Sequence, residues 1–264
     1  MKVPVAAVTC WQVHWRSHVH GALNYLSKAG DLDVEPGSDL HTVLLQFLCL
    51  AVFGNHTSGF DLESLIAQLP DSSDYLCRYH NISKFLLRTV LPIYRISSSL
   101  PDSDRLAQQL ELQAYLSAPS SIPEQRSDAT KKNSTNLHYS HVYDYSLLIF
   151  IQRKIHHRPP AEIQYMVKAD LHHLEISEIK AQGSNGCILL WPCLVIAVEC
   201  NDPVMRTRSL EWFQSKHRHG FKSLDNAKQI CVDYWAWRDN NPLRARSVTW
   251  QDFVRGTNYD VVPL

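Results

Sequence analysis

Apolar residues in this chain recur mainly three and four positions apart, the repeat of a helix with one buried face. The exception is Cys187 to Cys200, CILLWPCLVIAVEC, where Glu199 is the only charge. A segment apolar on every side has to be buried on nearly every side. As a helix it spans ~21 Å, short of the ~20 residues a membrane crossing requires. Val195-Ile196 would suit a strand, but the segment is long for one and contains Pro192. It reads as a core helix over Pro192 to Cys200, with Cys187 to Trp191 leading in. Asn201-Asp202-Pro203 then ends it and starts another helix. Asp202 is a good N-cap, and Pro203 fits the first helical position, where a missing N–H costs nothing.

The same reading places helices on both sides. Met205, Trp212 and Phe213 share helical spacing, with Lys216, His217, Arg218 and His219 at the carbonyl end and Gly220 as the stop. Leu224, Ala227, Ile230, Cys231 and Tyr234 form one face of the next helix, and Thr249 caps a short final one carrying Trp250 and Phe253. Upstream, Trp11, Trp15, Val19, Ala22 and Leu26 line one face, and Gly30 follows. Ser38 or Asp39 caps a helix through Val43, Leu44, Phe47, Leu48, Ala51 and Val52 that ends at Gly54. Phe60 to Leu69 is a short amphipathic helix stopped by Pro70. Another runs from Asn81 or Ser83 through Phe85, Leu86, Thr89, Val90 and Ile93, with a bend expected at Pro92. Pro101 and Asp102 begin a more exposed helix with Leu106, Leu110 and Ala114. Tyr143 to Ile155 has Tyr143, Leu147, Phe150 and Ile151 inward, and Pro159-Pro160 breaks it. Ala161 to Lys180 follows, with Ile163, Val167, Leu171 and Leu174 on its inner face. Between these, residues 117–136 are rich in Ser, Pro, Lys and Asn, with Ile122 as the single large aliphatic residue. They bury too little to offset ordering entropy and read as a flexible loop within the domain. The expected fold is all-α: ten to twelve helices around a buried central helix, no significant sheet, and a single domain over residues 1–264.

Composition narrows the function classes. The chain is 45% hydrophobic, with 26 basic and 26 acidic residues and zero formal net charge. That disfavours a nucleic-acid surface covering the whole chain. Only 9 glycines leave few tight turns for a many-stranded fold. The 7 cysteines are odd in number, lack Cys-x-x-Cys spacing and sit mostly among apolar residues, so they read as buried free thiols. No signal peptide is evident, because Val3 to Val8 is too short an apolar region. The sequons at Asn55, Asn81 and Asn133 then read as chance.

The 14 histidines invite a metal reading. His138 and His141 have the i, i+3 spacing that puts ligands on one helix face, but no third ligand is evident in the sequence. Adjacent pairs, His156-His157 and His172-His173, point in different directions. Surface histidines are the expectation, with no metal, cofactor-binding or catalytic residue assigned and no cofactor. A Gly-x-Ser-x-Gly elbow, a phosphate-binding glycine loop and His-Glu-x-x-His are all missing. The aromatic-rich helical composition raises one enzyme class, the helical terpene synthases. Asp71-Ser72-Ser73-Asp74 lacks the paired first carboxylates of that class, however. Asn201-Asp202 begins like its second motif, but Met205 and Ser209 replace the required Ser/Thr and Glu. The Arg206, Arg208, Lys216 and Arg218 group is expected to be a solvated helix face rather than a nucleic-acid stripe.

Four segments carry a resemblance. Leu190 to Ala197, LWPCLVIA, resembles the "WPLFIAG" segment of fungus-specific transcription factor domains. The acidic turn Asn201-Asp202, the Arg-rich helix Arg206 to Phe213, Gly220, and Tyr234 to Trp237 follow it in that family's order. Trp11 to Leu26 is similar to the family's "WKVHLRAALxLL" helix, and Tyr143 to Ile155 to its "YxxALLIYLxRxI" helix. Cys193 and Val198 depart from the usual Leu/Phe and Gly. The resemblance implies the regulatory domain of a nuclear, RNA polymerase II transcriptional regulator and no enzymatic centre. Its implied partners are other regulators or a second copy, with an apolar effector of lipid or sterol type as a further option. The family's DNA-binding module, a six-cysteine zinc cluster, has no counterpart here, since Cys10 stands alone. DNA contact is then expected only indirectly, or through an N-terminal module missing from this chain. The apolar helix starting at Trp11 points the same way.

Overall fold

The computed structural model describes residues 16–25, 39–55, 59–69, 82, 84–95, 131–181, 190–219, 222–255 and 257. Among them are ten α-helices and no strand, as the periodicity predicts. Residues 16–25 form α1. Then come α2 (Asp39–Phe53), α3 (Leu62–Gln68), α4 (Lys84–Arg95), α5 (Lys131–Lys154), α6 (Gln164–Ala181) and α7 (Leu190–Glu199). The last three are α8 (Pro203–Lys216), α9 (Lys222–Asn240) and α10 (Trp250–Val254).

α7 is the helix expected at the centre, and every residue in it is buried. It starts at Leu190, two residues ahead of Pro192, because proline is tolerated in a first turn. It packs against α5, α6, α8 and α9. A buried helix end has a specific difficulty: its last four carbonyls have no partner within the helix. Here side chains from three neighbours supply them. Trp235 Nε1 donates to Ala197 O at 3.0 Å, Arg238 Nη1 to Val198 O at 3.0 Å and Gln164 Nε2 to Glu199 O at 2.9 Å. Arg206 Nε donates to Cys200 O at 3.2 Å, and Arg238 Nη2 reaches the same oxygen. The C-terminus of α7 is thereby fixed to α6, α8 and α9.

The caps follow the sequence. Asp202 Oδ1 accepts from Val204 N at 2.6 Å with Pro203 at the first position of α8. Thr249 and Asp252 form a reciprocal capping box on α10. Ile163, Val167, Leu171 and Leu174 are all buried, as are Leu224, Ala227, Ile230, Cys231 and Tyr234. At the end of α2, Asn55 rather than Gly54 takes the left-handed conformation, with φ 51°. Val43, expected inward, is 43% exposed.

Residues 131–136, expected at the end of a loop, are the first turns of α5. Extending an existing helix costs little once it is nucleated, so a polar composition does not stop it. The rest of that loop, the 101–114 helix, the Trp11 and Trp15 positions, Asp71 to Asp74, Cys187 and Gly220 lie outside the described residues.

α5 and α6 run antiparallel, residue 138 opposite 173 and residue 146 opposite 170. One contiguous set of buried apolar side chains extends from Val19 to Trp235.

Candidate functional site

Among the described residues, three features within this largely apolar interior bear on function. The first lies under the C-terminus of α7. Glu199, 1% exposed, sits 3.0 Å from Arg153 Nε and 3.9 Å from Arg238 Nη1. Arg153 also donates to the carbonyls of Arg158 at 2.5 Å and of Ala245, Arg246 and Val248, each at 3.1 Å. Burial alone would lower the Arg153 pKa, but the adjacent Glu199 outweighs it and holds the guanidinium above its ordinary value. Arg238 moves the other way, lowered by burial despite the same carboxylate. Two cations share one anion here, an arrangement suited to locking helices together. Nothing in it is exposed to a substrate.

The second feature is a cavity of 320 Å³ at the other end of α7. Its apolar wall includes Phe53, Tyr94, Leu190, Trp191, Leu194 and Ile230. Phe53 and Trp191 stack at 4.8 Å, and the Tyr94 phenol donates to Phe53 O at 3.0 Å. Burial pushes Tyr94 up to about 12, with the Trp191 indole pulling slightly the other way. The rim carries Arg16, Lys154 and Arg255, and among the described residues no carboxylate lines the cavity. Behind the rim, Asp252 lies 3.2 Å from Lys154 Nζ and 3.2 Å from Arg255 Nη1. Val254 and Gln251 of α10 also line it, and the Gln251 side-chain Oε1 and Nε2 are both buried without a hydrogen-bond partner among the described residues. A buried amide in that condition calls for a partner. Size and lining match a small-molecule site at the small end of the usual range.

The third feature corrects a sequence expectation. His138 and His141 are not lone surface histidines, because α6 brings His173 beside them. The three offer ligand nitrogens within 4.8 Å of one another, and all three are partly buried. The register of α5 on α6 makes this cluster, and neither helix shows it alone. His172, next in sequence to His173, is exposed, and His156 and His157 lie at the end of α5 away from the cluster.

The other sequence candidates resolve into structure. Asn201 and Asp202, the partial terpene-synthase motif, serve as helix connection and cap, with Asn201 N bonded to Gln164 Oε1 at 3.0 Å. Of the basic group, Arg218 lies beyond α8 and is exposed as expected, but Arg206, Arg208 and Lys216 on α8 are not a solvated face. Arg206 pairs with Asp239 through two bonds of 2.6 and 2.7 Å, and Arg208 with Glu175 through bonds of 2.7 and 2.5 Å. Lys216 is 1% exposed and bonds Glu178 at 2.7 Å. These cations tie α8 to α6 and α9 and offer no continuous basic stripe. Cys49, Cys193, Cys200 and Cys231 are buried free thiols, and burial pushes Cys49 and Cys200 up to about 12, where they stay protonated.

The family model described as "Fungal specific transcription factor domain" matches residues 7–262. The chain belongs to that family. No curated protein and no solved structure matches it. A role in regulating transcription follows from the family, which is a transcription factor domain and not a known enzyme family. In this fungal transcription factor domain, the Arg of the "YxxALLIYLxRxI" segment is Arg153, the residue that neutralises Glu199 at the end of the "WPLFIAG"-like helix. Two of the four segments that carried the resemblance are thus joined by a buried ion pair. No helix among the described residues is long and apolar enough to cross a membrane.

Proposed function

We propose that this chain is the effector-responsive regulatory domain of a nuclear regulator of RNA polymerase II transcription, acting as one unit over the matched residues. It has no catalytic centre in this reading. The cavity beside Trp191 receives a small apolar molecule with an acidic or hydroxyl-bearing end. The observation that carries the effector is the aromatic cavity itself, lined by Gln251, whose amide donor and acceptor are buried and lack partners among the described residues. Arg16, Lys154 and Arg255 at the rim favour an anionic end over a cationic one. The cavity is built by α2, α4, α7, α9 and α10 together, so its occupancy biases how these helices pack. That bias is the differential interaction a ligand needs to shift a regulatory equilibrium. Partners are other transcription regulators or a second copy of the chain. Its charge balance and the absence of Cys-x-x-Cys spacing support contact with DNA through a partner or a module outside these residues.

A thermal-shift screen with fatty acids, sterols and prenyl diphosphates tests the effector. Stabilisation by an apolar carboxylic acid without metal, lost in Val254→Trp and in Gln251→Leu, is the expected result. Magnesium-dependent stabilisation by a prenyl diphosphate would overturn it in favour of an enzyme. Gel shifts with the 264-residue chain are expected to show weak binding, easily displaced by salt and without sequence preference.

A further inference from the structure

The histidine cluster lies away from the cavity lining and needs an explanation of its own. We propose that His138, His141 and His173 bind one divalent transition-metal ion of zinc type, clamping α5 to α6. This site is independent of the effector reading.

Geometry carries the proposal. His138 and His141 stand one turn apart on α5, and His173 meets them from α6. Its Nδ1 lies 3.0 Å from Nδ1 of His138 and 3.4 Å from Nδ1 of His141. A tetrahedral zinc ion with Zn–N of ~2.0–2.1 Å sets its ligand nitrogens ~3.3–3.4 Å apart. The rings therefore stand near coordination spacing already. A hydrogen bond from His138 Nδ1–H to His173 Nδ1 accounts for the 3.0 Å contact but not for the 3.4 Å contact to His141. One ring nitrogen carries either one proton or one lone pair, yet Nδ1 of His173 faces two neighbouring nitrogens at once. A cation among the three nitrogens uses all three lone pairs. Tyr145 stacks on the His173 ring at 5.7 Å and holds its plane.

The donor set selects the ion. Three imidazoles suit zinc, copper, nickel or cobalt, whereas magnesium and calcium need oxygen ligands. Three protein ligands leave a fourth position for water or for a group from another molecule.

Lys180 is the built-in competitor. Its ammonium lies 2.9 Å from Nε2 of His138 and donates to it, which leaves the ring proton on Nδ1, the nitrogen the metal needs. Metal binding requires that proton to move to Nε2 and Lys180 to swing away, which its exposure allows.

The test is calorimetric titration of the tag-free, chelator-treated 264-residue chain with zinc chloride, repeated with Co2+ followed by visible absorption. One equivalent of zinc is expected to bind, and Co2+ to give the intense bands of a four-coordinate ion. His173→Ala and His141→Ala should each weaken binding by at least about tenfold. Lys180→Met should tighten it, and His172→Ala should leave it unchanged. Circular dichroism checks the fold of each variant; if His173→Ala fails to fold, the partly buried His138→Gln reads the same loss. No saturable one-equivalent step would overturn the proposal. So would a step that survives His173→Ala and His141→Ala, which would place the ion at unrelated histidines or thiols. A weaker step in Lys180→Met would overturn the competitor role.

Discussion

Glu199→Gln should be among the most damaging near-isosteric changes available in this domain. The substitution preserves shape and removes one negative charge. It leaves Arg153 and Arg238, 2% and 5% exposed, as buried cations without a counter-ion. At separations of 3.0 and 3.9 Å, the attractions are of order 4–6 kcal/mol at an effective dielectric of ~20, before the cost of desolvating the carboxylate. Breaking a buried pair by removing one partner typically costs about 3–5 kcal/mol net, and that is the expected loss. For a chain of this size it corresponds to a fall in Tm of roughly 6–20 °C. Urea unfolding followed by circular dichroism measures it directly. Arg153→Met should cost more still, because it strands both Glu199 and the carbonyls of Ala245, Arg246 and Val248. A Glu199→Gln variant within about 1 kcal/mol of the parent would refute the reasoning, as would Arg153→Met being the milder change.

Trp191→Ala should cost about 3–5 kcal/mol in the same assay, since Trp191 is 1% exposed and stacks on Phe53 and Tyr143. Burial raises the Asp144 carboxyl from its ordinary 3.8 to about 7. The folded chain therefore keeps a proton that the unfolded chain releases, and the associated stability is full below about pH 4 and lost as pH rises through about 7. Asp144→Asn should flatten the fall in stability between pH 5 and pH 8; an unchanged slope would count against it. Asp170, also raised by its complete burial, should leave a residual slope. Asp202→Ala removes the α8 cap and should cost about 1 kcal/mol by urea unfolding; no measurable loss would contradict the capping role.

What the sequence determined by itself was the set of helices and their inner faces. The pattern of Ile163, Val167, Leu171 and Leu174, the fully apolar run around Trp191, and the signals at Asp202-Pro203 and Thr249 are local. They act through spacing and capping within one or two turns, so they can be read without knowing any neighbour. The order of four such segments also carried the family resemblance. Helix limits were less legible where composition and cooperativity disagree: residues 131–136 are polar, yet they continue α5. The tertiary structure decided everything that depends on how one helix registers against another. Glu199 was visible as a lone charge, but its partners Arg153 and Arg238 come from two other helices. The arginines and lysine of α8 looked like a solvated face until Asp239, Glu175 and Glu178 were placed opposite them. Spacing brought His138 and His141 to one face of α5. The third histidine arrives only because α6 docks antiparallel at one register, and successive residues on α6 point ~100° apart. Of the adjacent pair His172 and His173, that register turns His173 inward and leaves His172 exposed.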